Sequence, residues 1–151
     1  MQKSNSLTLK LSVLFFILCF STMVNAQVVD SLKSEQLYPI LESAEYHKTI
    51  IDGRDSTMFY SGHIKNAVYI DAFSEELLPF LKNYIHSDSL VLYCSNQTRS
   101  KKIINALQQM NYAGRILFMQ DGINGWKKNE FPIILPCIID NKNSNNAVDN
   151  I

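Results

Sequence analysis

Between residues 27 and 138 the chain alternates short apolar runs with stretches in which apolar residues return every three or four positions. The runs are Thr49-Ile50-Ile51, Ala67-Val68-Tyr69-Ile70, Leu90-Val91-Leu92-Tyr93 and Arg115-Ile116-Leu117-Phe118-Met119. Runs of this length, rich in β-branched and aromatic residues, predict strands buried on both faces. Leu37, Ile40, Leu41 and Ala44 have the i, i+3, i+4, i+7 spacing of one helix face, with Ser34 placed to cap it. Ser74 followed by Glu75 and Glu76 suits another helix start, because acidic residues favour the positive end of the helix dipole. That helix would bury Leu77, Leu78, Leu81, Tyr84 and Ile85, with Pro79 either kinking it or delaying its start. Arg99 to Met110 reads as a helix with Ile103, Ile104, Leu107 and Met110 inward, and Asn111 suits a left-handed cap. A short helix is expected from about Gly122 to Lys128. Strands alternating with helices in this way predict an α/β fold with a largely parallel sheet. Ligands of such folds bind beyond the carboxyl ends of the strands.

The two ends of the chain differ from this middle. Lys3 and Lys10 precede a nearly unbroken apolar run, Leu11 to Val24, which leads to Val24-Asn25-Ala26. These are the three parts of a secretory signal, expected to span residues 1–26 and to be cleaved after Ala26. An uncleaved anchor is the alternative, and the only membrane association it would give; the run falls short of the ~20 apolar residues of a span. Attachment of lipid at Cys19 is disfavoured by the bulky Leu18 beside it. Residues 27–138 then form one domain, and residues 139–151 a polar, Asn-rich tail too poor in apolar residues to order itself. Export places the mature chain in a periplasm or outside the cell.

Charge and cysteines exclude more than they assign. The net charge is zero, and removal of the signal leaves 12 Lys and Arg against 14 Asp and Glu, with no basic block to suggest nucleic-acid binding. Cys94 and Cys137 remain after cleavage, too few for a disulfide framework, and no Cys/His cluster suggests a metal site. Cys137 could pair with Cys94 or stay a lone peripheral thiol. No cofactor is implied.

Cys94 is the residue whose setting suggests chemistry. It follows a predicted strand, precedes a predicted helix, and is separated from Arg99 by four residues, Ser95-Asn96-Gln97-Thr98. Backbone N–H groups in such a turn can converge on an anion, and the helix N-terminus adds partial positive charge. Arg99 supplies a permanent cation with a forked set of donors. Together these favour a thiolate at Cys94 and the binding of an anionic substrate by residues 95–99. The arrangement suits sulfur transfer through a persulfide, and equally attack on phosphate. The bland alternative is that Cys94 is a small buried hydrophobe.

Four segments in order resemble the rhodanese-like family. They are Ile51-Asp52-Gly53-Arg54, Ser61-Gly62-His63-Ile64-Lys65-Asn66-Ala67-Val68-Tyr69-Ile70, Cys94 to Arg99, and Asp121-Gly122-Ile123-Asn124-Gly125-Trp126. The resemblance covers about residues 28 to 134. It implies a five-stranded, mainly parallel sheet flanked by helices on both faces. It also implies a sulfurtransferase in which Cys94 takes sulfane sulfur from a small anionic donor such as thiosulfate and passes it to cyanide or a thiol. Related phosphatases and arsenate reductases have a longer gap between Cys and Arg, so the four residues here favour sulfur over phosphorus. A non-catalytic binding module of the same fold is the third reading. Gln97 stands where the family often has Gly, whose freedom would allow positive φ and close backbone approach. Ser95 stands in place of a frequent Arg. Asn66 and Asp121 replace family glycines at turns, and both residue types tolerate the left-handed region.

The remaining candidates take supporting roles in this reading. Asp52 and Arg54 would anchor the loops as an ion pair, His63 would stabilise its turn, and Trp126 would pack the last helix on the core. Lys101 and Lys102 either draw anions or belong to a solvated helix face. His47 and His86 belong to no motif.

Overall fold

A computed structural model of the chain describes residues 27–43 and 48–136. In chain order the elements are β1 (Val29–Leu32), α1 (Ser34–Glu42), β2 (Lys48–Asp52), α2 (Ser56–Tyr60), β3 (Ala67–Tyr69), α3 (Leu77–Leu81) with a 3₁₀ turn at Lys82–Tyr84, β4 (Ser89–Tyr93), α4 (Thr98–Gln109), β5 (Arg115–Met119) and α5 (Gly122–Lys128). The five strands form one sheet in the order β1-β5-β4-β2-β3, and every pair is parallel. The expected signal, the tail, Ala44, His47, Cys19 and Cys137 lie outside the described residues.

Alternate residues of each central strand enter two separate cores, as the period of two requires. Ile51, Leu90, Leu92, Ile116 and Phe118 face Leu77 and Leu81 of α3 and Ile103, Ile104 and Leu107 of α4. Ile50, Val91, Tyr93, Leu117 and Met119 face Leu37 of α1 and Ile123 and Trp126 of α5. With helices on both faces, no residue of β4 after Ser89 can be polar and solvated, which is why that segment reads as a continuous apolar run. β4 is the middle strand, so the residue that follows it emerges at the centre of the sheet's carboxyl edge.

Expectations at Ser34, Leu78 and Asp121 are revised, and the alternative left open at Pro79 is decided. Ser34 does not cap α1; it is the helix's first residue, and its N–H and hydroxyl both donate to the Asp121 carboxylate, at 2.9 and 2.6 Å. The cap of α1 is thus supplied by the turn before α5. Pro79 delays rather than kinks α3, which starts only at Leu77 and places the proline in the first turn, where its missing N–H costs nothing. Leu78 faces solvent as a result. Asp121 is right-handed (φ −89°) and the left-handed residue of that turn is Gly122 (φ +59°), whereas Asn66 (φ +62°) and Asn111 (φ +54°) do take the left-handed conformation.

Candidate active site

β4 carries Cys94 directly to the carboxyl edge, and its residue is 0% exposed. The carbonyl of Cys94 accepts the Ile123 N–H at 2.8 Å, which fastens the loop to the start of α5. Gly122 permits this contact. A Cβ there would lie 2.4 Å from the Cys94 oxygen and 2.6 Å from the Ser95 oxygen, closer than any carbon can sit. Gly122 therefore has two reasons to be glycine, its positive φ and this approach.

The loop from Ser95 to Thr98 then turns into α4. Asn96 shapes the turn by accepting the N–H groups of Gln97 and Thr98 on its own Oδ1, at 2.7 and 3.2 Å. This is the local side-chain bonding that Asn offers a turn. Gln97 has φ −129°, so this loop does not use the conformational freedom that a glycine would bring. Ser95 Oγ lies 3.5 Å from Met58 Sδ, setting α2 against the loop. A shallow cavity of about 460 Å³ lies along the loop's outer side, between residues 95–98 and Lys101, Gln120, Asp121 and Asn124.

Arg99, the second residue of α4, turns its side chain toward Asp55 and Phe73. Its Nη2 is 3.3 Å from Asp55 Oδ2, and its guanidinium carbon lies 5.4 Å from the centre of the Phe73 ring. Lys102 lies over the same ring at 4.6 Å, so this lysine packs on an aromatic face. Asp55 also accepts the Met58 N–H at 2.9 Å and so caps α2. One carboxylate thereby fixes both Arg99 and the helix that carries Met58. The Nε of Arg99 is buried and has no hydrogen-bond partner, and the same holds for Oγ of Ser100.

The loop after β2 contrasts with this. Asp52 and Arg54 are 0% and 3% exposed and pair at 2.6 Å. Arg54 Nε donates to Asp52 Oδ1, and Nη2 also donates to the Gly62 carbonyl at 2.8 Å. Burial alone would lower the Arg54 pKa, but the hydrogen bonds and charge of Asp52 outweigh it and hold the guanidinium above its ordinary value. Tyr93, the residue before Cys94, accepts the Ile64 N–H on its phenolic oxygen at 3.1 Å. Burial, reinforced by the nearby Asp52 charge, pushes the Tyr93 pKa far above the usual tyrosine range. The pair thus ties β2 and β4 to the segment from Gly62 to Ile64. His63, in that segment, stacks on Phe59 at 4.0 Å with Nδ1 3.2 Å from the Phe59 carbonyl, and its backbone bridges Ile134. These contacts engage His63 away from the Cys94 loop.

The structure therefore gathers Cys94 and residues 95–99 in one loop and sets Asp52 and Arg54 in the neighbouring one. Sequence reasoning passed over Asp55, Met58, Phe73, Tyr93 and Ser100, whose parts are played across elements distant in the chain. Asn96 was expected only among the substrate-binding residues, and its use of two loop N–H groups was not legible.

Comparison with known proteins agrees with this geometry. The family model for the rhodanese-like domain matches residues 33–129. A sulfurtransferase of Allochromatium vinosum is 29% identical over 110 residues, which are 72% of this chain and 98% of that protein. An uncharacterized protein of Buchnera aphidicola is 27% identical over 88 residues, 56% of this chain; the match spans 59% of that relative's length. The crystal structure of a rhodanese-related protein from Thermoplasma volcanium superposes with a TM-score of 0.59 at 22% identity, covering 70% of this chain and 98% of that one. The fold, the Cys94 loop and the matched family model agree, and the chain belongs to the rhodanese-like domain family.

Proposed function

We propose that this rhodanese-like protein is an exported sulfurtransferase that carries sulfane sulfur on Cys94. The observation that carries the reading is the loop itself: a buried cysteine at the end of the central strand, separated by four residues from an arginine whose Nε has no partner. The Cys94 thiolate attacks the outer sulfur of a donor such as thiosulfate. The sulfur–sulfur bond of the donor breaks, sulfite leaves with the electron pair, and Cys94 holds a persulfide anion. Cyanide or a thiolate then attacks the outer sulfur, leaves as thiocyanate or a new persulfide, and restores the Cys94 thiolate. Charge and electrons balance in both steps, so no external oxidant is required. Arg99 lies where it can neutralise an anionic donor, and the short gap to Cys94 suits one sulfur atom better than a phosphoryl group. The relative named as a sulfurtransferase supports the same class of reaction.

Incubation of the purified protein with thiosulfate should add one sulfur mass to Cys94, and Cys94→Ser should add none. A wild-type protein left unmodified by thiosulfate, persulfides and mercaptopyruvate would end this reading. Turnover of an aryl phosphate that depends on Cys94 would replace it with phosphoryl chemistry. Export rests on the pattern from Lys3 to Ala26; secretion with a new N-terminus at Gln27 is the expected outcome, and retention of residues 1–26 would overturn it.

A further inference from the structure

We propose that Ser100 is the side-chain donor for the outer sulfur of the Cys94 persulfide, together with Nε of Arg99; the inference rests on the sulfurtransferase reading above. Three observations lead to it. First, the middle of the loop has already committed donors, because the Gln97 and Thr98 N–H groups both go to Asn96 Oδ1. Second, Ser100 is fully buried and its hydroxyl has no partner. A serine within a helix either faces solvent or bonds back to the carbonyl four residues earlier, and this one does neither. Third, the hydroxyl lies at the Cys94 end of the helix. α4 leaves the carboxyl edge of β4 and runs back over the sheet, as a right-handed parallel crossover must. Its buried face reads Ser100, Ile103, Ile104, Ala106 and Leu107, and the isoleucines pack among Ile51, Leu90 and Leu92. Ser100 is one turn closer to Cys94 than they are.

A resting thiol needs little from these donors. A persulfide differs by one anionic sulfur, ~2.05 Å beyond Sγ, in a place where Cys94 has no solvent exposure. A buried anion needs hydrogen bonds from the protein. Arg99 Nε and Ser100 Oγ are the buried side-chain donors without partners on this loop and helix start. The α4 N-terminus adds its unpaired N–H groups and partial positive charge. The hydroxyl is therefore unsatisfied in the resting enzyme and satisfied in the loaded one.

The test compares the full chain and its Ser100→Ala variant, each as the free thiol and after loading with thiosulfate. As the thiol, Ser100→Ala should melt at or above the wild-type temperature, since it removes an unpaired buried hydroxyl and alanine suits a helix. Its kcat/KM for thiosulfate should fall about tenfold or more, the weight of one hydrogen bond to a charged group. The rise in melting temperature on loading should shrink relative to wild type. Equal loading and an equal rise in the variant would overturn the role of Ser100 while leaving sulfur transfer intact. A variant that melts well below wild type as the thiol would show a structural hydroxyl and also overturn it. A wild-type protein that never loads would instead overturn the sulfurtransferase reading itself.

Discussion

Two loops leave neighbouring strands at the same edge of the sheet, and they treat polar groups in opposite ways. After β2, the Asp52 carboxylate, the Arg54 guanidinium and the Gly62 carbonyl satisfy one another in a buried network. After β4, Arg99 Nε and Ser100 Oγ are buried without partners in the first turn of α4. A buried polar group without a partner costs roughly 1–3 kcal/mol, so a fold retains one where something else is gained. The comparison teaches how to separate structural from functional charge in this molecule. The satisfied network holds the frame, and the unsatisfied donors are the ones the proposed persulfide would use.

The largest effect should come from breaking the satisfied side. Arg54→Met leaves Asp52 charged and buried with no cation beside it and only the backbone N–H at position 54 still bonded to its Oδ1, and should cost about 3–5 kcal/mol in urea unfolding. Replacing both partners, as in Asp52→Asn with Arg54→Met, should restore much of that loss. An Arg54→Met loss below ~1 kcal/mol would contradict the structural role assigned to the pair. Alkali tests Tyr93, beside Arg54, and separately Tyr112, whose hydroxyl donates to the Ser87 carbonyl ahead of β4. Tyr93 and Tyr112 both hold their protons more tightly in the fold than the unfolded value of 10.0, with Tyr112 pushed up to about 12 by burial and the nearby Asp88 charge. Their contribution is fully present below pH ~10 and is lost as the pH rises through 12 and beyond. Thermal unfolding from pH 8 upward should therefore show a flat stability that falls from near pH 10, and Tyr112→Phe should flatten the fall.

A smaller effect is expected at the joint between the loops. Gly122→Ala forces a Cβ against the Cys94 and Ser95 carbonyls from a positive φ. It should cost about 1–3 kcal/mol and change the rate at which iodoacetamide alkylates Cys94. Unchanged stability and alkylation would show that α5 does not clamp the loop. The smallest effect on stability belongs to the unsatisfied side. The Arg99–Asp55 pair is partly exposed, at 24% and 36%, so Arg99→Lys should alter unfolding free energy by less than ~1 kcal/mol. Its thiosulfate loading should nevertheless fall about tenfold or more, because lysine lacks the planar fork and the Nε donor. A lysine variant that loads like wild type would erase the contrast between the two loops.

Much of the frame was legible in the residues. The apolar runs that became β2, β4 and β5 lie inside the sheet and are covered on both faces, which leaves a continuous signal, while β3 is a partly buried edge strand. β1 was not read from the pattern, because Val-Asp-Ser-Leu at a sheet edge has too few apolar residues to stand out. The position of Cys94 between strand and helix was legible for the same reason as the strands, since local periodicity set both boundaries. The left-handed residues Asn66 and Asn111 were also foreseeable, from side-chain chemistry that acts within a turn.

The residue pattern alone therefore set local features: where strands and helices form, which turns reverse, and that four residues separate one cysteine from an arginine. The tertiary structure alone decided which polar groups meet. Asp121 caps a helix 87 residues earlier, and Asp55 reaches across 44 residues to Arg99. It also decided that Ser100 finds no partner. Hydrogen bonds and burial depend on what the fold brings within a few ångströms, and periodicity carries no record of that. The cysteine could be found in the sequence; the unpartnered donors at the start of α4 became visible only in the folded chain.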